Sequence, residues 1–286
     1  MATLRSGGAV LDLLPEIGGA VSRFAVDGVD VLRPAPPGTT DILQTACFPL
    51  VPFANRIANG TFRFGGETVH LPRNFGDHPH VLHGQGWQNP WRAIAQNEHS
   101  ATLAYEHAAD AWPWAYAAEQ TFDLAPRSLR VALKLVNRSA RAMPFSLGFH
   151  PYFERTADTV LRADVQGVWL SDSTCIPTER AGASHFLDLV NGASLAAAPF
   201  VDHCHFGWRG TAGIEQESRR RNLVLTASPE LAFLHCYVPQ DAGFFCVEPV
   251  SAMPDAFNRP ADSASLRIIA PNESFAVAMT LAVRDW

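Results

Sequence analysis

Two side chains in this 286-residue sequence have surroundings suited to proton transfer. Glu248 follows the apolar residues 244–247 and precedes a proline, so we expect it at a strand end, partly removed from water. His150 closes an alternating apolar segment and precedes Pro151, which predicts that it also lies where a strand ends. A carboxylate and an imidazole on separate strands could pass protons to and from a reacting group. The alternatives are a core histidine satisfied by backbone groups and a glutamate bonded to a neighbouring arginine.

Two further charged side chains lie in aromatic, turn-rich surroundings. Arg56 follows Asn55 in a segment with two prolines and two phenylalanines, and its guanidinium offers five donors that can hold several hydroxyl groups. Asp202 lies close to aromatic residues, where a carboxylate can accept hydrogen bonds from two sugar hydroxyls. The competing interpretations are a structural ion pair for Arg56 and an Asx-turn for Asp202.

Three histidines within six residues permit two interpretations. Imidazole is a ligand of zinc, copper and iron, and His78 and His80 would share one strand face, although Pro79 between them weakens that geometry. Alternatively His83 acts alone, with nearby glycines allowing close backbone approach and Trp87 forming an aromatic wall on which a sugar ring could stack. Spacing alone does not decide between a metal site and a sugar site.

The elements that must position these side chains are predicted to be β-strands. The sequence contains 20 glycines and 21 prolines, which suit many short strands and few long helices. Asp27-Gly28 separates two short strand-like segments, and Gly65-Gly66 does the same further along the chain. Both dipeptides are strong signals for two-residue β-hairpins.

Two longer segments alternate as strands do. Every second residue from Leu129 to Leu135 is aliphatic, and residues 275–283 place large apolar side chains on one face and mainly alanines on the other. The face of small side chains suggests that this strand is packed on both sides. No linker, repeat or long 3.6-residue period interrupts the pattern. We therefore predict one all-β domain over residues 1–286, a large antiparallel β-sandwich with few short helices, in which Trp112 and Trp114 form either a core pair or an aromatic subsite.

Composition narrows the classes of function. The chain is 47% apolar and 17% charged, which fits a compact globular protein rather than a disordered one. A net charge of -6 argues against nucleic acid as the main partner, because phosphate binding needs an excess of lysine and arginine. No signal peptide and no run of eighteen apolar residues is evident, so we expect a cytoplasmic protein without a membrane partner. Five cysteines without a Cys-x-x-Cys pair fit reduced thiols.

Taken together, these motifs resemble the aldose 1-epimerase (galactose mutarotase-like) family. The elements that carry the resemblance, in family order from about Gly8 to the C-terminus, are Asn55-Arg56-Ile57, Leu82-His83-Gly84 with Trp87, the segment 148–153, the segment 202–206, and Val247-Glu248-Pro249 through Asn258. The His-Pro-Tyr-Phe and Glu-Pro elements are specific in combination. The flanking sequences are closer to a bacterial branch whose substrates are poorly defined.

The resemblance implies a single β-sandwich of the supersandwich type whose open cleft holds a monosaccharide, with no metal and no organic cofactor. It implies interconversion of the α and β anomers of an aldose, with Glu248 as general base and His150 as general acid. It also implies that the ring hydroxyls are held by Arg56, His83 and Asp202, with Asn55 and Trp87 as additional candidates. His78 and His80 have no role in the family pattern.

Two other functions remain open from the sequence. The first is a catalytically silent sugar-binding or sensor protein on the same fold, because a fold does not fix a function. The second is a metal-dependent β-barrel enzyme that uses His78, His80 and His83 with Glu248. The identity of the sugar, and whether the chain is a monomer or a homodimer, are not determined by these patterns.

Overall fold

Antiparallel strands dominate residues 2–259 and 265–284, the part of the chain that this computed structural model describes. In chain order the strands are β1 Ala2–Ser6, β2 Ala9–Leu14, β3 Ala20–Val26, β4 Val29–Asp30, β5 Cys47–Leu50, β6 Arg56–Ile57, β7 Thr61–Phe64, β8 Glu67–His70, β9 Val81–Leu82, β10 Arg92–Gln96, β11 Ser100–His107, β12 Tyr116–Ala125, β13 Ser128–Asn137, β14 Met143–Phe145, β15 Gly148–Glu154, β16 Val160–Ala163, β17 Gly167–Ser171, β18 Pro177–Gly182, β19 Ala193–Ser194, β20 Val201–Phe206, β21 Thr211–Gln216, β22 Arg221–Ala227, β23 Phe233–Val238, β24 Phe244–Val250, β25 Arg267–Ile269 and β26 Ser274–Arg284. The helices in this part of the chain are single 3-10 turns at Ile42–Gln44, Ala58–Gly60, Gly86–Gln88, Glu217–Arg219 and Ala256–Asn258. The prediction of an all-β fold with few short helices is confirmed.

Two large sheets form the sandwich. The first has the strand order β1-β2-β3-β5-β15-β24-β23-β20-β17-β18, with β4 paired to β3, and the second has the order β10-β11-β12-β13-β26-β22-β21-β16-β19. Three small two-stranded sheets, β14-β25, β6-β9 and β7-β8, complete the pairing in the described residues. The strands at the centre of the first sheet come from distant parts of the chain, so this sheet brings the separate sequence motifs side by side.

Both predicted hairpins are confirmed. Val26 pairs with Val29 across Asp27 and Gly28, which have φ values of 51° and 79°. Phe64 pairs with Glu67 across Gly65-Gly66, whose φ values are 58° and 86°. Two consecutive residues with positive φ give the tight turn whose twist matches that of the flanking strands. Local sequence chemistry therefore sets both turns.

A single extended apolar core lies between the two sheets. The alternating residues Leu129 to Leu135 of β13 are buried in it, as their spacing predicts. In β26, Val277, Met279 and Leu281 are buried as well, but Ala276 on the opposite face is exposed. The prediction that this strand is packed on both sides is therefore wrong. The outer face of the second sheet is only partly covered, and alanine is tolerated there because it buries little surface.

The central strands of the first sheet are covered on both faces. In β15, Phe149 and Phe153 belong to the core between the sheets, whereas Tyr152 belongs to a second apolar cluster on the other face. In β24, Phe245 packs into the first core and Cys246 into the second cluster. This double coverage explains why the central strands are continuous apolar runs rather than half-buried alternating ones.

The prolines do not end these strands, contrary to the prediction. Pro151 lies within β15 opposite Cys47, and Pro249 lies within β24 opposite Leu234. His150 and Glu248 are therefore inside two central strands, not at strand ends. Proline is tolerated because neighbouring strands and the cluster on the cleft face continue the packing around the missing backbone donor.

Other features of the described residues agree with the sequence. Trp112 and Trp114 are fully buried beside Phe53, Phe62 and Phe257, so they are a core pair and not an aromatic subsite. All five cysteines are free, and four of them are buried. In the portion described here, no helix has the length and apolar character needed to cross a lipid bilayer.

Candidate active site

A cleft of about 450 Å³ opens on the face of the first sheet that points away from the second. Its floor is formed by side chains of β15, β24, β23 and β20, and its walls come from the segments around residues 43–56 and 75–87. The lining includes every residue that the sequence singled out for sugar chemistry: Asn55, Arg56, His83, Trp87, His150, Asp202 and Glu248. A cavity of this size, with polar groups set among aromatic ones, is suited to a small polar ligand.

His150 and Glu248 face each other across two paired strands. The ladder between β15 and β24 pairs Gly148 with Val250 and Tyr152 with Cys246, which sets His150 opposite Glu248. His150 Nε2 lies 3.4 Å from Glu248 Oε1, and both side chains are almost completely buried. Among the described residues, neither His150 Nδ1 nor Glu248 Oε2 has a hydrogen-bond partner. These atoms are the ones that a bound ligand could satisfy.

Burial opposes charge on both members of this pair. Desolvation lowers the pKa of His150 to about 3, and the nearby His235 adds to the effect. Desolvation also raises the pKa of Glu248 well above its ordinary value, with a further contribution from the negative charge of Asp202. Burial therefore favours the neutral imidazole and the protonated carboxyl group. Together Glu248 and His150 hold one exchangeable proton, which desolvation favours on Glu248.

Asp202 is held by two partners. Arg56 Nη1 donates to Oδ1 at 3.1 Å and Nη2 donates to Oδ2 at 2.7 Å, which is a bidentate pair. His235 on β23 donates from Nε2 to Oδ1 at 2.8 Å, because an ionised carboxylate can only accept. His235 Nδ1 is buried and has no hydrogen-bond partner among the described residues. The Asx-turn interpretation of Asp202 is wrong, since the residue lies within β20.

The charges of this ion pair are strongly stabilised. Burial tends to raise the pKa of Asp202, but the hydrogen bond from His235 and the positive charge of Arg56 outweigh it and hold the pKa far below its usual range. Burial tends to lower the pKa of Arg56, yet Asp202 raises it overall. Asp202 is therefore anionic and Arg56 cationic throughout the physiological range. Arg56 Nε is buried and has no hydrogen-bond partner in the described part of the chain, so it can donate to a ligand.

A pair of hydrogen bonds with Asn55 fixes the position of His83. The Asn55 N–H donates to His83 Nδ1 at 3.1 Å, and the His83 N–H donates to the Asn55 carbonyl at 2.9 Å. Both residues have φ near +60°, a conformation that asparagine tolerates but histidine seldom adopts. Because Nδ1 accepts, the proton of the neutral ring lies on Nε2, where His83 can donate into the cleft. The Asn55 side chain also orients Arg56, accepting from its backbone N–H at 2.9 Å and from Nη1 at 3.1 Å.

Aromatic rings surround the polar groups. The His150 ring stacks on Phe48 at 4.5 Å and on Tyr152 at 4.7 Å between ring centroids. Trp87 stacks on Phe48 at 5.6 Å, and its indole N–H donates to the carbonyls of Leu82 and Gly84. Trp87 is therefore a fixed wall of the cleft whose polar atom is used internally. Apolar rings of this kind exclude water and strengthen the electrostatic interactions inside.

The three histidines of residues 78–83 do not converge on one position. His80 lies in a loop, accepts from the Asn59 N–H at its Nδ1 and bonds Thr174 Oγ1 through its Nε2. His78 also lies outside any strand, and its Nδ1 accepts from the His80 N–H. In the described part of the chain, the group whose ligand atoms could hold a metal is instead His150, Cys246 and Glu248, within 4.8 Å of one another. The predicted shared strand face for His78 and His80 is wrong because Pro79 breaks the strand.

Sequence reasoning missed some of the residues that line the cleft. His235, Tyr152, Tyr237, Phe244 and Arg33 all belong to the lining. A polar residue within the apolar run of β23 is the one signal that could have pointed to His235. Arg33 gave no local signal, because it lies in a proline-rich segment outside every motif.

The sequence and fold of this chain are similar to those of known proteins. A family model described as aldose 1-epimerase matches residues 1–282. The uncharacterized protein YphB of Escherichia coli K12 is 33% identical over 292 residues, covering 99% of this chain and 98% of that protein. The crystal structure of a candidate aldose 1-epimerase from the same organism has a TM-score of 0.92 and 32% identity, covering 99% of this chain and 98% of that one. A galactose mutarotase-like protein from Clostridium acetobutylicum, 20% identical, has a TM-score of 0.87 and shares the fold, with 99% and 95% of the two chains covered.

Proposed function

Because this chain belongs to the aldose 1-epimerase family, we propose that it interconverts the α and β anomers of a monosaccharide. The observation that supports the proposal most directly is the His150–Glu248 pair. Its two functional groups are 3.4 Å apart at the floor of a cleft of monosaccharide size, and each retains one unsatisfied polar atom. A protein that only binds sugar has no need for a matched, buried acid and base.

Ring opening needs one proton removed and one supplied. Glu248 as carboxylate takes the proton from the hydroxyl on C1, and His150 as imidazolium gives its proton to the ring oxygen while the bond between that oxygen and C1 breaks. The products are an open-chain aldehyde, a protonated Glu248 and a neutral His150. Rotation about the C1–C2 bond followed by the reverse transfers closes the ring in the other configuration. Proton count is conserved, since neutral imidazole with glutamic acid holds as many protons as imidazolium with glutamate.

The other polar groups of the cleft hold the sugar. Arg56 Nε and His83 Nε2 can donate to hydroxyl oxygens, the remaining lone pairs of Asp202 can accept from hydroxyl groups, and His235 Nδ1 can hydrogen-bond a further hydroxyl group. These groups are fixed by hydrogen bonds to one another before any ligand binds. Fixed donors and acceptors reduce the reorganisation that accompanies charge movement in the ring-opening step.

The test is the rate of anomer exchange, measured by NMR exchange or polarimetry over a panel of aldoses. Wild-type protein should exceed the buffer rate for at least one sugar, and Glu248→Gln and His150→Asn should each lose roughly a hundredfold or more. His107→Asn is a matched control. His107 is a buried histidine that stacks on Tyr116 at 4.9 Å, much as His150 stacks on Tyr152, but it lies outside the cleft and should leave the rate unchanged.

Folding of each variant is checked by thermal unfolding. If a sugar binds but no aldose exchanges faster than in buffer, the protein is a sugar-binding protein and the epimerase proposal fails. If Glu248→Gln exchanges anomers as fast as wild type, Glu248 is not the base.

A further inference from the structure

Arg33 is a fixed cation in the wall of the cleft. Its Nη2 donates to the carbonyls of Leu43 at 2.7 Å and Thr45 at 2.9 Å. Its guanidinium carbon lies 4.1 Å from the ring centroid of Tyr152 and 4.6 Å from that of Phe244. The two carbonyls and two rings set the orientation of the group while leaving Nε and Nη1 without an acceptor among the described residues. A preorganised guanidinium loses little entropy when it binds a ligand.

The charge of Arg33 is not neutralised within the cleft. In the described ranges 2–259 and 265–284, no carboxylate lies within 4.0 Å of its nitrogens, whereas the other cleft arginine, Arg56, forms a bidentate pair with Asp202. Burial lowers the pKa of Arg33, and the nearby negative charge of Asp41 opposes that shift. Asp41 Oδ1, however, accepts a hydrogen bond from the Leu43 N–H. A half-buried arginine in a cavity wall without an acidic partner is suited to bind an anion.

The position of Arg33 relative to His150 indicates where that anion would be on a sugar. Tyr152 contacts both residues: its ring stacks on the imidazole of His150 and lies against the guanidinium of Arg33. In a hexose in the pyranose form, the ring oxygen is bonded to C5, and the exocyclic C6 projects from that carbon. In the sugar orientation that uses both groups, the ring oxygen faces His150 and the C6 substituent lies on the same side of the cleft as Tyr152 and Arg33. Arg56, Asp202 and His235 occupy the region over β23 and β20, which is farther from β15.

We propose that the cleft selects aldoses that carry an anionic group on C6, namely a carboxylate, phosphate or sulfonate, and that Arg33 binds this group. The proposal rests on the epimerase function proposed above for the orientation of the sugar. It assigns the substrate class and not the reaction. The neutral C6 hydroxyl of an ordinary hexose would leave Nε and Nη1 without a charged partner.

The experiment compares glucose with glucuronate, glucose 6-phosphate and 6-deoxy-6-sulfoglucose as substrates for anomer exchange. We expect kcat/KM to be higher for at least one anionic sugar than for glucose by roughly ten- to a hundredfold, the range of one charge-assisted hydrogen bond. The three anionic sugars distinguish carboxylate, phosphate and sulfonate. Arg33→Gln should remove the preference, so that kcat/KM for the anionic sugars falls to the level measured for glucose in the same variant. Arg180→Gln is the matched control, because Arg180 also stacks on two rings, Trp169 and Phe206, but does not line the cleft.

A binding measurement separates this proposal from the proposed function. Methyl glycosides of the same sugars cannot open, so their affinities, measured by calorimetry, test the anion subsite without requiring any exchange. Tighter binding of an anionic glycoside that is lost in Arg33→Gln supports the subsite even if no aldose is a substrate. Equal affinities and rates for neutral and anionic sugars, or equal losses for both in Arg33→Gln, would show that Arg33 is structural and overturn the proposal.

Discussion

At the scale of single residues, burial determines where the protons of the cleft reside. Glu248 and His150 are both enclosed, and each is pushed towards its neutral form, although their atoms are only 3.4 Å apart. Asp202, equally enclosed, stays ionised because Arg56 and His235 both donate to it. The difference is the number of donors, and it suits Asp202 and Glu248 to the roles proposed above, holding a sugar and exchanging a proton.

A pH profile of anomer exchange tests this assignment. The active form holds one proton in the Glu248–His150 pair. Activity should fall on the acid side only when His150 gains a second proton, near its pKa of about 3, and on the alkaline side only when the shared proton leaves, above the ordinary glutamate range. We therefore expect kcat/KM to keep its neutral-pH level down to about pH 4. With an ordinary glutamate pKa of about 4.3, activity would already have fallen by about half near pH 4.3, and that result would contradict the assignment.

At the scale of elements, the loop that carries His83 depends on close backbone packing. Gly84 has a φ of +73°, and a Cβ there would lie 2.4 Å from both the Val51 carbonyl oxygen and Pro52 Cδ. The same glycine supplies a carbonyl to the indole N–H of Trp87. Gly84 packs closely against Val51 and Pro52, which follow strand β5. This contact helps to fix His83 and Trp87 in the cleft, and it requires a residue without a side chain.

Gly84→Ala should damage both stability and sugar binding. A left-handed conformation costs about 1 kcal/mol for alanine, and the overlap with backbone adds about 1–3 kcal/mol. Urea unfolding and the KM for the best sugar measure the two effects. Gly28→Ala is the control, because Gly28 has a φ of +79° but nothing within 4 Å of its Cβ position. Gly28→Ala should lose only the unfolding free energy that the left-handed conformation costs, and its KM should not change. Equal losses in the two variants would mean that close packing at Gly84 is unimportant.

At the scale of the whole molecule, buried neutral histidines make stability depend on pH. His205 on β20 is 1% exposed, bonds the Leu234 carbonyl through Nδ1, and has its pKa lowered to about 4, mainly by burial. The unfolded chain would take up this proton near the ordinary value of about 6.5. Because the folded pKa is the lower one, the unfolded state binds more protons between these values, and stability falls as pH decreases through that window.

This effect can be isolated by comparing wild type with His205→Gln. From about pH 7 to about pH 5, wild type should lose about 2 kcal/mol more unfolding free energy than the variant, whatever their difference at neutral pH. Urea unfolding at both pH values measures it. His205 lies outside the cleft lining, so the pH dependence of anomer exchange should be the same in both proteins. Identical pH dependence of stability would show that His205 is not the group responsible.

The sequence by itself determined the features that depend on near neighbours. Alternation predicted the buried face of β13, and two turn dipeptides predicted two hairpins, because hairpins and strand faces are set by residues close together in the chain. The motifs also identified the polar residues that line one cleft, including His150, Glu248 and Asp202.

Only the tertiary structure decided how these residues meet. Pro151 and Pro249 lie inside strands rather than ending them, because neighbouring strands and the cleft-side cluster supply the packing that a short segment lacks. The pairing of β15 with β24 sets His150 opposite Glu248, and the shared burial of the two side chains opposes charge on both. The entry of Arg33 into the cleft likewise depends on contacts with Tyr152 and Phe244, far along the chain. Desolvation and long-range pairing are properties of the assembled sheets, so no local pattern could encode them.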